Sequence, residues 1–239
     1  MKPFAVFDID GTLIRWQLYH AVVDKLAKQG RLSTDSHQKI HLARMCWKNR
    51  EHDYRFSDYE SALINEFEAA VKNLAPIDFN GAVDEVIQEY KDQVYTYTRD
   101  LMKTLRQQGY LLFAISGSQQ ELVAKIAKMY DFDDLVATVY QQKGGRYTGK
   151  KTVASHNKKA ALEHLVGKHA ASYQDSYAIG DSKSDASILE MVEYPIAFNP
   201  DSELYRIAQL QQWPIVIERK NMIYKLEYKN GTYVLAQTN

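Results

Sequence analysis

Asp8 and Asp10 stand two positions apart at the end of the apolar run FAVF (residues 4–7), with Gly11 and Thr12 directly after them. An Asp-Gly pair closing a strand makes an ordinary turn, so this stretch alone assigns no chemistry. Two more apolar runs end on residues of the same kind. YLLFAI (110–115) runs into Ser116, Gly117 and Ser118, and SYAI (176–179) runs into Gly180, Asp181, Ser182, Lys183, Ser184 and Asp185. As strands of one parallel sheet these runs would end on a common edge, and Asp8, Asp10, Ser116, Asp181 and Asp185 would share one site. Two unit charges about 4 Å apart repel by about 4 kcal/mol at an effective dielectric near 20. The cluster therefore calls for a cation. Oxygen-only ligands, with a phosphate as a further ligand, point to Mg²⁺.

A cationic feature lies in GKKTVASHNKKAALEHL (149–165). Ser155 or Asn157 reads as a helix cap, which puts Lys158 and Lys159 in the first turn. Cations are disfavoured there because the helix amino end is already partly positive, and a local rule broken in this way marks a candidate functional position. Lys150, Lys151, Lys158 and Lys159 also form the nearest thing to a nucleic-acid patch, but aromatic interleaving is slight. His37 and His41 have the spacing of a metal pair without a nearby acidic third ligand, and read as a surface helix. Trp16, Tyr19, Trp47, Tyr54 and Phe56 read as core before pocket lining.

The elements that must position these residues follow from the hydrophobic pattern. Further β-favouring runs lie at 135–140, 195–198 and 214–217, and helix-length segments at 119–130, 157–169, 184–192 and 202–212 separate most of the runs. Strand alternating with helix implies a parallel sheet covered on both faces. The rhythm breaks after the first run. Helical stretches at 19–29, 59–74 and 81–108 fill the gap, and in the second of them Leu63, Phe67, Ala70, Val71 and Leu74 recur at helical spacing. The expected organisation is α/β, with a Rossmann-like parallel sheet core and helices on both faces. It is built from residues 1–15 and 99–220, with an inserted helical cap at 16–98. Residues 221–239 form a β-hairpin around Asn230 and Gly231, the strongest short-range hairpin signal.

Composition excludes several classes of function. A chain of 239 residues, 45% apolar, can bury the core of one large domain or of a domain with an insertion. Lys plus Arg and Asp plus Glu are both 30, so overall charge calls for neither nucleic acid nor an anionic membrane. Cys46 is the single cysteine; no internal disulfide can form, which suits a reducing cytoplasm. The first apolar run is too short for a signal-peptide core, and no run approaches the roughly 18 residues of a membrane span. The expectation is a soluble cytoplasmic protein.

Four motifs in this order, DIDGT (8–12), the strand ending in Ser116, a lysine at the head of a helix and GDSKSD (180–185), resemble the haloacid dehalogenase superfamily of phosphotransfer enzymes. Within it the chain is most similar to the phosphoserine-phosphatase-like group, whose helical cap follows the first motif. RYTGK (146–150) and GDSKSDASILEMVEYPIAFNPD (180–201) are typical of that group. The resemblance implies Mg²⁺-dependent hydrolysis of a small phosphomonoester through an aspartyl phosphate. It makes Asp8 the nucleophile and Asp10 the acid that protonates the leaving alcohol and then activates water. Ser116 and the Gly117 amide become phosphate contacts. Lys159 steadies nucleophile and phosphate, chosen over Lys158 because Leu162, three residues on, fits the apolar position expected after the family lysine. Asp181 binds Mg²⁺ beside the Asp8 side chain and the Asp10 main-chain carbonyl, and Asp185 supports the metal shell or the lysine.

A phosphotransferase or mutase on the same chemistry is the alternative enzyme, and a binding module without turnover is the alternative of another class. The intact set Asp8, Asp10, Lys159 and Asp181 speaks against the module. One departure bears on substrate. Gln17 stands where phosphoserine phosphatases carry a glutamate for the substrate ammonium, and a neutral amide holds an ammonium less well than a carboxylate does. Phosphoserine becomes one candidate among several small phosphomonoesters.

Overall fold

In chain order the computed structural model, which describes residues 1–51 and 56–238, begins with β1 (Pro3–Phe7). It continues through α1 (Leu18–Lys28), α2 (Thr34–Lys48), α3 (Phe56–Val71) and α4 (Pro76–Tyr90). Next come α5 (Thr96–Gln107), β2 (Leu111–Gln119), α6 (Gln120–Met129), β3 (Asp134–Lys143) and β4 (Arg146–Thr152). The remainder is α7 (Lys158–His169), β5 (Ser172–Gly180), α8 (Ala186–Leu189), β6 (Tyr194–Phe198), α9 (Ser202–Gln211), β7 (Ile215–Arg219), β8 (Met222–Lys229) and β9 (Thr232–Thr238). Two compact units result. One is Met1–Trp16 with Tyr90–Thr138 and Val153–Asn239, and the other is Gln17–Glu89 with Val139–Thr152.

The first unit is the expected α/β core. Its sheet runs β3-β2-β1-β5-β6-β7-β8-β9, parallel from β3 to β7 and antiparallel through β8 and β9. Phe4, Ala5, Val6 and Phe7 have no exposure at all, as a strand covered on both faces requires. One face of the sheet, carrying Phe4, Val6, Phe113 and Ile115, packs on Leu162 and Leu165 of α7, Leu189 of α8 and Leu204 of α9. The opposite face holds Ala5, Phe7, Leu112 and Ala114, also buried. At the far edge Asn230 and Gly231, both at positive φ (52° and 85°), make the turn between β8 and β9. Such turns match strand twist.

The second unit is helical and organised by aromatic rings. Leu63, Phe67 and Val71 of α3 are buried as their spacing predicts. Tyr19 meets Phe67 edge-on at 5.6 Å, Trp47 stacks on Tyr59 at 5.8 Å, and Phe56 packs on Trp47 at 5.1 Å. Tyr19, Tyr59 and Phe67 are buried, while Trp47 and Phe56 are half-buried; Trp16, in the other unit, is also half-buried, and Tyr54 lies outside the described residues. His37 and His41 are exposed on α2.

The boundary of this unit differs from residues 16–98. Its last helix is α4, α5 belongs to the first unit, and the arm formed by the outer half of β3 with β4 joins the helices. Gly144 and Gly145, at φ 59° and 73°, turn the chain between β3 and β4. Tyr140 then packs on Phe67 at 5.6 Å and Tyr147 on Phe79 at 5.9 Å. RYTGK lies in β4. Sequence periodicity missed this because β4, RYTGKKT, is mostly polar and exposed, leaving no alternation of apolar residues to read.

Candidate active site

Parallel registry brings the motifs together. Phe7 pairs with Ala114 of β2 on one side and Ile179 of β5 on the other, so the residues that follow all three leave the sheet at its carboxyl edge. The Asp8 amide still donates to the Ile179 carbonyl at 3.0 Å. Gly11 then turns the chain at φ 81°, and a Cβ there would lie 2.1 Å from Asp181 Oδ2. Only glycine lets the first motif run this close to the last. Thr12, fully buried, points its hydroxyl at Asp181 Oδ1 at 3.5 Å.

The lysine of the site is Lys158. Asn157 caps α7 by accepting from the Ala160 amide at 3.0 Å, so Lys158 is the first helical residue. Its ammonium donates to Asp8 Oδ1 at 2.7 Å, to Asp185 Oδ1 at 2.6 Å and to the Ile115 carbonyl at 3.2 Å, with 2% of the residue exposed. Lys159, the residue expected from the spacing to Leu162, is exposed. The buried stripe of α7 is Lys158, Leu162, Leu165 and Val166. Lys158 leads Leu162 by four residues and lies above it on one face; Lys159 is turned about 100° away. The two carboxylates offset the electrostatic cost of a cation at a helix amino end.

Asp185 is fully buried and held on all sides. Oδ2 accepts from the amides of Asp181 and Ser182 at 3.1 and 3.0 Å and from the Ser182 hydroxyl at 3.0 Å, while Oδ1 takes Lys158. Gly180 makes room for it, since a Cβ there would fall 2.4 Å from the Asp185 Cβ.

Asp10 is fixed by serines. The hydroxyls of Ser116 and Ser118 donate to its Oδ2 at 3.1 and 2.7 Å, and the Ser118 amide donates to Ser116 Oγ at 3.0 Å. Gly117 lies between them, its carbonyl accepting from Thr138 Oγ1 at 2.7 Å. Ser116 thus enters the site at Asp10. Ser118 and Thr12 are residues that motif reading passed over, although Ser118 is two positions from Ser116 on a strand and the two-residue period puts both on one side.

One carboxylate oxygen each from Asp8, Asp181 and Asp185 lies within 4.8 Å of the others. Burial pushes the Asp8 carboxyl up to about 7 against the pull of Lys158, with Asp185 and Asp10 adding to the rise. Asp181 is pushed well above the usual carboxylate range by burial first, then by Asp8 and Asp185. Burial acts to lower Lys158, yet Asp185 and Asp8 together hold it above its ordinary value. Among the described residues, four carboxylates here face one ammonium. A hard divalent cation fits this set: all the donors are oxygens, and the ionised form is short of positive charge. The cation would be held by Asp8 and Asp181, since Asp185 is engaged by Lys158 and its own loop and the Asp10 side chain by serines.

Comparison with known proteins places the chain among relatives of one kind. The family model for haloacid dehalogenase-like hydrolase matches residues 5–190. A histidinol-phosphatase from Neisseria meningitidis serogroup C is 25% identical over 232 residues, 90% of this chain and 99% of that protein. A phosphoserine phosphatase from Methanocaldococcus jannaschii is 24% identical over 95% of this chain and 97% of its own length. Among solved structures, a protein of unknown function from Bordetella pertussis Tohama I shares the fold with a TM-score of 0.73, at 22% identity over 91% of this chain and 99% of that one. Since the matched span runs from β1 through α8 and takes in every motif of the carboxylate site, the chain belongs to the haloacid dehalogenase-like hydrolases.

Proposed function

We propose that this phosphatase hydrolyses a small phosphomonoester through an aspartyl phosphate on Asp8, with Mg²⁺ as its cofactor. The observation that carries the reading is the buried triad of Asp8, Lys158 and Asp185 beside Asp181. It offers a nucleophilic oxygen, a fixed cation and a supply of hard ligands at one point.

The steps balance with residues of the chain. A carboxylate oxygen of Asp8 forms a bond to phosphorus as the ester P–O bond breaks, and Asp10 gives its proton to the departing alkoxide. In the second step Asp10 takes a proton from water, the water oxygen bonds to phosphorus, and the Asp8–phosphorus bond breaks. Lys158 neutralises charge on Asp8 and on the phosphoryl group through both steps. Dividing the reaction in this way replaces one very slow hydrolysis by two easier displacements. Mg²⁺, held by the side chains of Asp8 and Asp181 and the main-chain carbonyl of Asp10, would add positive charge where phosphoryl oxygens bind. Ser116 and the Gly117 amide remain the proposed phosphate contacts.

The names of the two relatives supply the first esters to try, histidinol phosphate and phosphoserine, and Gln17 weighs against the second. A panel of phosphomonoesters assayed for phosphate release with Mg²⁺, with excess chelator, and with an added acceptor alcohol tests the reading. Release that needs the metal is expected. Full release in chelator, or transfer to the alcohol in preference to water, would overturn it.

A further inference from the structure

We infer that Ser118 is a positioning residue for the proton transfer at Asp10, an inference that rests on the proposed role of Asp10 as acid and base. Two hydroxyls converge on one oxygen of this carboxylate. Ser118 provides the shorter bond, 2.7 Å against 3.1 Å from Ser116, and all three side chains are nine-tenths buried or more. A carboxylate free to turn about its two side-chain torsions would present either oxygen in many directions. Pinning Oδ2 fixes the plane of the group and so the position of Oδ1, the oxygen that on the proposed reading exchanges the proton with the ester or the water. A misplacement of about 1 Å at such a group lowers a rate by about 10²-fold.

The two serines are not equivalent. A hydroxyl has a single proton. Ser116 gives its proton to Asp10 while its oxygen accepts from the Ser118 amide. If Ser116 turns that proton to a bound phosphate, as proposed, the Ser118 hydroxyl still donates to Asp10 Oδ2. The segment that carries it is anchored independently. Thr138 Oγ1 donates to the Gly117 carbonyl at 2.7 Å, at the point where the register of β2 against β3 shifts between Ile115 and Gln119. Asp10 acts in both steps, and the Ser118 hydroxyl holds its orientation through the whole cycle.

The test is the dependence of kcat/KM on the leaving group. This parameter reports the steps through formation of the phosphoenzyme, where a proton matters for a poor leaving group and hardly at all for p-nitrophenolate. Wild type, Ser118→Ala, Ser118→Cys and Asp10→Asn would be assayed with substituted phenyl phosphates from p-nitrophenyl to p-methoxyphenyl, with phosphoserine as the alkyl ester. Asp10→Asn should steepen the dependence, losing about 10²- to 10⁴-fold at the poor leaving groups and far less with p-nitrophenyl phosphate. Ser118→Ala should steepen it in the same sense, losing about 10- to 100-fold at the same end, the effect of one hydrogen bond to a charged group. Ser118→Cys, near in shape but a weak donor, should fall between Ala and wild type. If Asp10→Asn steepens the dependence while both Ser118 variants lower all esters equally or none, Ser118 is structural and the inference is overturned alone. A loss through Asp10→Asn that is uniform across the series, read as single-turnover release of the phenol so that a blocked second step does not hide it, removes the role of Asp10 as acid and the inference with it.

Discussion

At the scale of the residue, the site is a problem of charge held by direction. Lys158 serves two carboxylates at once from a position where it is almost wholly buried. Removing it would leave Asp8 and Asp185 unpaired in the interior, and stranded buried charges are costly. Lys158→Ala should therefore abolish measurable phosphatase activity and lower the melting temperature. Lys159→Ala, on the exposed side of α7, should leave both within error. Parallel steady-state assays and thermal melts of the two variants decide the matter. Comparable losses from both would show that the lysine nearest Asp8 is not the one that acts. The adjacent registers differ by one residue and give opposite environments, which is why spacing to Leu162 alone could not choose between them.

At the scale of the element, α5 is held from a strand far away in sequence. Its amino end has no side-chain cap of its own, since Tyr95 occupies the N-cap. Glu218 of β7 takes that place. Its carboxylate accepts from the Thr96 amide at 3.0 Å, the Thr96 hydroxyl at 2.7 Å and the Tyr97 amide at 2.8 Å, and is paired with Arg15. From the same end of α5, Thr98 donates to the Thr12 carbonyl and the Tyr95 amide to the Leu13 carbonyl, each at 2.9 Å. The helix is thereby tied to the residues just after the first motif. Glu218→Ala removes a cap and leaves half-buried donors without their acceptor, and should cost about 1 to 2 kcal/mol in urea unfolding. Glu218→Gln, which keeps an acceptor, should cost less. A loss below about 0.5 kcal/mol for the alanine variant would mean that the end of α5 is satisfied by water instead.

At the scale of the whole molecule, the site couples metal, pH and stability. The raised pKa of Asp8, from 3.8 to about 7, means that the folded protein without metal prefers the protonated carboxyl. That contribution is fully present below pH 4 and is lost as pH rises through about 7. Asp181, raised for the same reasons, adds to the loss. Lys158 is raised as well, but its contribution persists up to the ordinary lysine range and adds no slope near neutrality. Melts in chelator should therefore fall in temperature between pH 5 and 7.5. Mg²⁺ should flatten or reverse the trend, since on the proposed reading it would bind the ionised oxygens of the folded state. In Asp8→Asn, which is expected to be inactive, the metal-free slope should be shallower and stability at pH 7.5 at least that of wild type. A wild-type melting temperature in chelator that rises steadily over this window would contradict the picture of an undercompensated acidic cluster.

Much of this was legible in the order of residues. Each of FAVF, YLLFAI and SYAI is a short unbroken apolar run, the pattern of strands buried on both sides, and each is followed at once by residues that carry chemistry. Asp8, Asp10, Ser116, Asp181 and Asp185 could be assigned to one edge from local pattern and the parallel rule alone, and Asn230-Gly231 announced its hairpin because only a few residues favour that turn. Tertiary structure decided what local pattern leaves equal. The face that α7 turns to the sheet buries Lys158 and exposes Lys159. The approach of Gly11 to Asp181, the second hydroxyl on Asp10 from Ser118, and the capping of α5 by Glu218 are contacts between segments remote in the chain. The polar arm of β3 and β4 joins the helices through two tyrosines. The physical reason is the same in each case: periodicity reports which residues share a face, while the partner across that face is set by packing that no single segment contains.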